Sequence, residues 1–216
     1  MLIDAAHRKD TRIREDKEKV ARYAAAMMHG MKDGGVAGSA KHFPGHGDTD
    51  TDSHLALPCV DKPLEELEQM ELAPFRAAIN AGVSAIMTTH ILFPQIEPDP
   101  IPATMSRRII QGLLRNNLGF QGIVVSDCME MKAISGHYGI SEGTLAAFKA
   151  GVDLVEISHH PQWCADAAAR VLEAAEAGEL DLEEMESSVN RILAYKERWI
   201  ERAQPCDFDF GAAREE

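Results

Sequence analysis

One stretch of this chain, residues 41–54, is dense in side chains that can bind ligands or move protons. It reads Lys41-His42-Phe43-Pro44-Gly45-His46-Gly47-Asp48-Thr49-Asp50-Thr51-Asp52-Ser53-His54. An apolar segment, residues 36–40, precedes it and can form a buried strand, after which Pro44-Gly45 turns the chain into a loop. Catalytic and binding residues lie disproportionately on such loops. This stretch is therefore the first candidate for a functional site.

Metal binding is one chemistry that the spacing of these residues can be tested against. Oxygen ligands alternate as at the start of an EF-hand calcium loop, at Asp48, Asp50 and Asp52. The sixth position of that loop is Ser53 where glycine is required, and the twelfth is Cys59 where glutamate is required. A zinc site built from His42, His46 and His54 stays open, although their spacing matches no helical zinc motif. We predict no metal and no other cofactor.

Acid–base chemistry is a second possibility, carried by Asp52 and His54. The two residues are two positions apart, so in an extended loop their side chains can point the same way and hydrogen-bond. A carboxylate beside an imidazole fixes its tautomer and raises its pKa, which makes it a proton donor near neutral pH. The alternative is an ordinary aspartate–histidine contact on a solvated loop.

A further carboxylate, Asp127, ends an otherwise apolar segment, residues 122–127. We expect this side chain to point into the mouth of a sheet, where water is scarce. Lys41 and His42, at the end of a neighbouring strand, could neutralise it or bind the hydroxyls of a polar substrate. A helix-capping role for Asp127, or a simple ion pair with Lys41, is the alternative. The methionine that soon follows, Met129, is interpreted as a packing residue from the pattern alone.

Short apolar segments alternate with amphipathic helical patterns, which predicts an α/β fold of parallel strand–helix units. About four strands are predicted, at residues 36–41, 83–88, 122–127 and 152–158. Helices are predicted at residues 15–31, 62–81, 106–117, 141–150, 162–177 and 181–201, with a break in the second at Pro74. Such units form either a small open sheet or half of an eight-stranded barrel.

In both folds, functional residues lie just past the carboxyl ends of the strands. The candidate residues fall there in each predicted unit: Lys41-His42, Thr89-His90, Asp127 and Ser158-His159-His160. We therefore expect them to meet at one edge of one sheet. Residues 1–14 are expected to be a polar, poorly ordered segment, and residues 204–216 a tail.

Composition excludes several classes of partner. The 216 residues are 45% hydrophobic and carry a net charge of −13, which argues against nucleic acid or an anionic membrane as a partner. No apolar run approaches the roughly 20 residues of a membrane helix, and the polar start is unlike a signal peptide. The cysteines are widely spaced, so neither a zinc ribbon nor a dense disulfide framework is indicated. A cytoplasmic location is expected.

These motifs closely resemble the signature of glycoside hydrolase family 3, in its β-N-acetylglucosaminidase (β-hexosaminidase) branch. The resemblance rests on residues 41–47 followed by Asp52-Ser53-His54, and on residues 126–134, which resemble the family's nucleophile segment. Residues 87–91 and 102–106 are also similar to family stretches. The likeness runs from about residue 20 to residue 198.

The resemblance implies a retaining mechanism in a (β/α)8 TIM-type barrel. It assigns Asp127 as the nucleophile, His54 as the acid/base and Asp52 as the residue that orients His54. It implies substrate binding by four residues: Lys41, His42, His46 and Met129. The implied substrates are terminal β-linked N-acetylglucosaminides on peptidoglycan fragments, in bacterial cell-wall recycling. A phosphorylase is the alternative, because an imidazole does not repel a phosphate acceptor as a second carboxylate would.

The chain also departs from the family pattern. The family barrel has about twice as many strands as we predict here, and an expected Arg-x-Phe-Gly stretch is replaced by Thr11-Arg12-Ile13-Arg14. We therefore expect residues 15–203 to form the C-terminal half of such a barrel, truncated and completed by a second copy or by an N-terminal half. The remaining alternative is a non-catalytic half-barrel that self-associates or binds amino sugars.

Overall fold

The computed structural model describes residues 2–4, 17–46 and 57–201, and in them one parallel sheet of five strands. The strands are β1 (Leu2–Asp4), β2 (Ser39–Phe43), β3 (Ala85–Thr88), β4 (Ile123–Cys128) and β5 (Leu154–Glu156). They lie side by side in chain order, and every neighbouring pair is parallel. This confirms the predicted α/β fold, and the four predicted strands correspond to β2 through β5.

The first strand, β1, was not predicted, and it lies within the segment that was expected to be poorly ordered. Three residues are too few to show the alternation that identifies a strand in a sequence. β1 exists through pairing, since Leu2 lies opposite Ser39 and Asp4 opposite Lys41 on β2.

Helices lie between the strands in the predicted segments, and the short helix Lys132–Ser135, in a segment expected to be a loop, was not predicted. They are α1 (Lys17–Asp33), α2 (Leu64–Gln69), α3 (Leu72–Asn80), a π-helix (Arg108–Asn117), α4 (Lys132–Ser135), α5 (Ile140–Ala150), α6 (Pro161–Glu176) and α7 (Leu182–Lys196). A 3₁₀ turn, Ala103–Met105, precedes the π-helix, and a π-helical turn, Glu197–Glu201, follows α7. Helix α1 packs on α3, and α5 packs on α6.

Local signals explain where several helices begin. Pro74 lies in the first turn of α3, where its missing N–H costs no helical hydrogen bond, and so the predicted break separates α2 from α3. The Ser106 hydroxyl accepts a hydrogen bond of 3.2 Å from the Ile109 N–H, as expected for a capping residue. Asp181 caps α7 by accepting from the backbone N–H of Glu183 at 3.0 Å.

The core lies between the sheet and the helices that cover it. Its largest fully buried side chains come from β2, β3, β4 and the segments that follow them: Phe43, Leu67, Leu72, Ile86, Ile91, Phe93, Ile109, Ile110, Leu114, Val124, Met129 and Ile134. All four residues of β3 are buried, whereas Leu154 on β5 is 41% exposed. Within the described residues, none of the helices combines the length and the hydropathy needed to cross a membrane.

A buried charge cluster ties helices to the amino ends of β4 and β5. The Asp153 carboxylate accepts from Arg115 Nη2 at 2.6 Å and from the Val124 N–H at 2.8 Å. It also accepts from Ser188 Oγ at 2.7 Å and from Arg191 Nη2 at 2.8 Å. The π-helix and α7 are therefore held to the sheet through a single carboxylate.

Candidate active site

The carboxyl ends of β2, β3, β4 and β5 carry the predicted functional residues, and the structure brings several of them into contact. His42 on β2 faces Asp127 on β4, with 3.5 Å between His42 Nε2 and Asp127 Oδ2. His90, two residues past β3, reaches the backbone of β4. His159, three residues past β5, binds Glu130 just past β4. The predicted coincidence at one edge of the sheet is confirmed for these residues.

The Asp127 carboxylate accepts few hydrogen bonds from the protein. Its Oδ1 accepts a hydrogen bond of 2.8 Å from the Cys128 N–H, which fixes the orientation of the carboxylate on the strand. Its Oδ2 faces His42, and 26% of the Asp127 side chain is exposed. The side chain that faces its carboxylate among the described residues is thus His42, where the sequence had suggested an ion pair with Lys41 as the alternative. A carboxylate with accessible lone pairs on a rigid strand can act as a nucleophile.

The end of β2 is anchored from its buried side. Phe43 is fully buried and packs edge-to-face on Phe75, with 5.2 Å between ring centroids. Lys41 and His42 are half-buried, and the His42 and His46 rings lie 5.8 Å apart. The Lys41–His42 and Phe43–Pro44 peptide bonds are cis. One buried aromatic side chain therefore positions a lysine and two histidines at the mouth of the sheet.

Gly45 is required where the chain leaves β2. Its φ is +142°, and a Cβ at this position would lie 2.6 Å from Glu71 Cβ. Both the backbone angle and the space exclude a larger residue. The turn at Pro44-Gly45 seen in the sequence is thus packed directly against the start of α3, and it directs the chain toward residues 47–56.

His90 is a buried histidine beneath the Asp127 carboxylate. Its side chain is 3% exposed, with Nε2 3.1 Å from the Cys128 carbonyl oxygen and Nδ1 2.9 Å from Thr104 Oγ1. A carbonyl only accepts, so Nε2 carries a proton and donates to Cys128. His90 thereby connects the 3₁₀ turn to the peptide that follows Asp127.

Burial lowers the pKa of His90, and the nearby charge of Asp127 and the bond to the Cys128 carbonyl only partly offset this. The Thr104 hydroxyl has one proton and two acceptors within reach. It donates to the Thr89 carbonyl at 2.9 Å, which also accepts from the Thr104 N–H, and its oxygen lies 2.9 Å from His90 Nδ1. The sequence placed His90 at the correct edge but gave it no role.

Glu130 was missed as a distinct site residue. Its carboxylate accepts from the backbone N–H groups of His159 at 3.1 Å and His160 at 2.9 Å, and from both of their Nδ1 atoms. Burial alone would raise the pKa of Glu130, but these hydrogen bonds outweigh it and lower the pKa to about 2. The contact joins residues 29 apart, and no spacing signal in the sequence predicts it.

Met129 is a packing residue in this structure. It is fully buried within the hydrophobic core, and its backbone N–H donates to the Glu156 carbonyl at 2.9 Å. The interpretation from the sequence pattern agrees with this position. The resemblance had implied substrate binding, but the side chain presents no surface to a substrate here, because it instead fills the space beside Gly143.

The predicted acid/base pair, Asp52 and His54, lies outside the described residues, as do Asp48 and Asp50. Their placement relative to Asp127 therefore stays a prediction. The same holds for a zinc site that would include His54.

Comparison with known proteins gives a consistent result. A family model described as "Glycosyl hydrolase family 3 N terminal domain" matches residues 3–195. A β-hexosaminidase of Neisseria meningitidis serogroup C is 41% identical over 144 residues, which cover 67% of this chain and 39% of the relative. β-Hexosaminidase A of Pseudoalteromonas piscicida is 34% identical over 203 residues, which cover 84% of this chain and 33% of the relative.

Solved structures agree with the sequence relatives. A glycoside hydrolase family 3 β-N-acetylglucosaminidase from Paenibacillus sp. str. FPU-7 matches with a TM-score of 0.85 and 47% identity, over 90% of this chain and 37% of that one. The β-N-acetylglucosaminidase of Thermotoga maritima matches with a TM-score of 0.76 and 32% identity, over 83% of this chain and 39% of that one. The chain thus spans about two fifths of the length of these relatives.

Proposed function

Since this chain belongs to glycosyl hydrolase family 3, we propose that it supplies the nucleophile side of a β-N-acetylglucosaminidase active site. The observation that carries the proposal is Asp127, a partly exposed carboxylate on the carboxyl end of β4 that faces His42 on β2. The relatives named β-hexosaminidase, and the β-N-acetylglucosaminidase structures, support the same reaction class.

The proposed reaction has two steps and retains the configuration of the sugar. Asp127 attacks the anomeric carbon while His54 donates a proton to the leaving oxygen, so that the glycosidic bond breaks and a glycosyl ester forms. His54 then takes a proton from water, which attacks the same carbon and releases the sugar and the Asp127 carboxylate. Asp52 orients His54 through a hydrogen bond to its ring.

The geometry around Asp127 suits this role. Its carboxylate accepts one backbone N–H and lies 3.5 Å from the His42 imidazole, which leaves oxygen lone pairs for the sugar. Positioning of this kind lowers the entropic part of the barrier. His42 faces it, and Lys41 and His46 lie near His42 at the end of β2. These three residues are proposed to bind the hydroxyls of a terminal β-linked N-acetylglucosamine. Peptidoglycan fragments are the proposed source of that sugar.

We also propose that activity requires completion of the sheet by a second copy or by an N-terminal half. In the described residues the sheet is open, with β1 and β5 each paired on one side only. Leu154 on β5 is 41% exposed, as expected for an edge that another element covers. Sedimentation velocity tests the first option, because a well-folded monomer at all concentrations contradicts pairing between copies.

The test of the activity is release of nitrophenol from its N-acetyl-β-glucosaminide. The chain is assayed alone and with an N-terminal half-barrel taken from a relative, each with an Asp127→Ala control. Activity that depends on Asp127 supports the proposal, and activity unchanged in Asp127→Ala refutes the mechanism. Formation of a sugar 1-phosphate in added phosphate would identify a phosphorylase instead. Amino-sugar binding without turnover in every assembly would identify a non-catalytic module.

A cytoplasmic location is also proposed. The described cysteines, Cys59, Cys128 and Cys164, are free thiols, as is usual in a reducing compartment. Fractionation of the source cell with an antibody against this chain tests the location, and recovery outside the cytoplasm contradicts it.

A further inference from the structure

Three metal-ligating side chains meet beside the candidate nucleophile. Cys128 and Glu130, at the end of β4, and His159, after β5, each offer a ligand atom, and these atoms lie within 4.8 Å of one another. A thiolate, a carboxylate and an imidazole are donors that zinc takes in proteins. We propose that these residues form a binding site for a single divalent transition-metal ion, with zinc as the best chemical match.

The fold explains how the three residues come together. β4 and β5 are neighbouring parallel strands, so the turns at their carboxyl ends lie side by side. Between Cys128 and Glu130, Met129 is fully buried and its N–H is bonded to the Glu156 carbonyl. Cys128 and Glu130 therefore lie on either side of a residue whose position is fixed. Residues 128 and 159 are far apart in the chain, which is why ligand spacing along the sequence predicted no metal.

Two of the three ligands are accessible from solvent. Cys128 is partly exposed and the His159 side chain is 74% exposed, whereas 8% of the Glu130 side chain is exposed. Backbone hydrogen bonds from His159 and His160 fix the position of the Glu130 carboxylate. Three protein ligands leave a tetrahedral ion one further position, for water or a solute.

The proton balance of binding concerns the thiol. His159 Nδ1 lies 2.5 Å from Glu130 Oε2. Because the ring is exposed, it can turn to offer its other nitrogen to the ion. The Cys128 thiol must lose its proton to solvent, since the thiolate is the ligand. Binding at this site therefore releases about one proton per ion.

Occupation of the site would act on the candidate nucleophile. Cys128 directly follows Asp127, and its N–H donates to Asp127 Oδ1 at 2.8 Å. A cation on the Cys128 sulfur attracts the Asp127 carboxylate and draws negative charge away from the substrate. Zinc is therefore expected to inhibit hydrolysis, a consequence that rests on the proposed function. Binding itself does not depend on that function.

The experiment uses Co²⁺ as the probe, because a cobalt–thiolate bond has a charge-transfer absorption band in the near ultraviolet. The full chain is stripped of metal with a chelator, reduced, and titrated with Co²⁺ while absorption is recorded. We expect one equivalent to produce the band and Zn²⁺ to displace it. Cys128→Ser should abolish the band, whereas the matched controls Cys59→Ser and Cys164→Ser should keep it.

His159→Gln is the second variant, because it leaves the backbone bonds to Glu130 in place. It should weaken Co²⁺ binding by on the order of tenfold or more. Urea midpoints equal to that of the original chain show that the variants are folded. A missing band in the original chain, a band that survives Cys128→Ser, or unchanged affinity in His159→Gln each overturns the proposal.

The functional consequence has its own readout. In an assembly that hydrolyses the nitrophenyl substrate, Zn²⁺ should lower the rate of the original chain, and a higher zinc concentration should be needed for His159→Gln. If no assembly has activity, the proposed function fails while the cobalt titration still decides the metal site. If activity is present and the titration shows no thiolate band, the metal site fails alone.

Discussion

Two aspartates on neighbouring strands of this sheet have opposite environments. Asp153, at the amino end of β5, has a fully buried side chain and accepts from Arg115, Ser188, Arg191 and the Val124 N–H. Asp127, at the carboxyl end of β4, is 26% exposed and has one backbone donor and a histidine at 3.5 Å. The amino end of the sheet uses charge to hold helices in place, while the carboxyl end keeps a carboxylate available. Parallel α/β folds commonly place functional residues at the carboxyl ends of the strands and stabilising residues at the amino ends.

Because the Asp127 carboxylate is partly exposed and has few partners, its loss should abolish activity but leave the stability of the fold nearly unchanged. Asp127→Asn keeps the shape and removes the nucleophile, so kcat in an active assembly should fall by a factor of at least about 10⁴. The urea midpoint should stay close to that of the original chain, because no saturated hydrogen-bond network is lost. A kcat within tenfold of the original would show that Asp127 is not the nucleophile.

Asp153 should show the reverse behaviour. Asp153→Ala leaves Arg115 as a buried charge without its carboxylate, which should lower the free energy of unfolding by about 3–5 kcal/mol. Urea denaturation of the chain alone measures this, and Asp127→Ala serves as the matched control. A loss in Asp153→Ala no larger than in Asp127→Ala would mean that the two carboxylates do not differ as their environments indicate.

Sequence patterns singled out Asp127 as a candidate site residue, but they did not indicate the structural role of Asp153. Asp127 stands out because it ends an unbroken apolar run, and any residue in that position faces the carboxyl edge. The importance of Asp153 depends on Arg115 and Arg191, which lie 38 residues away on either side. No pattern near Asp153 in the sequence predicts such a contact. Glu130 was missed for the same reason, because its partners, His159 and His160, follow the next strand.

Secondary structure was likewise predictable where the sequence carries a local pattern. Strands and helices with a clear period were predicted, and the position of Pro74 correctly separated α2 from α3. β1 was missed because three residues carry no period and depend on pairing with β2. Local patterns thus specify elements, whereas contacts between distant segments decide which carboxylates are buried and which remain available.

His90 contacts the peptide that follows Asp127, so its substitution tests whether that peptide positions the carboxylate. His90→Ala removes the donor to the Cys128 carbonyl and should lower kcat by roughly 10-fold to 100-fold, because the peptide beside the carboxylate can then shift. His90→Gln can still place a donor near that carbonyl and should restore part of the loss. KM should change less than kcat in both variants. Equal kcat values in Ala and Gln would mean that His90 acts through packing alone.

An exposed ion pair supplies the smallest effect and a contrast to the buried Asp153 cluster. Arg107 donates to both carboxylate oxygens of Glu184, with Nη1 2.8 Å from Oε2. The Arg107 hydrogen bond holds the pKa of Glu184 below its ordinary value, although burial opposes it slightly. The stabilisation is therefore present above the ordinary glutamate pKa of about 4.3 and is lost as pH falls through the lower folded value.

Both side chains of this pair are well exposed, at 55% and 41%, so water and salt screen the attraction. Glu184→Gln should lower the free energy of unfolding at pH 7 by less than about 1 kcal/mol. The difference from the original chain should shrink in high salt and vanish at acid pH, where Glu184 itself becomes protonated. Urea titrations of both proteins across pH measure it. A difference that stays constant with pH would show that Glu184 stabilises α7 by packing, and that charge matters here only where it is buried, at Asp153.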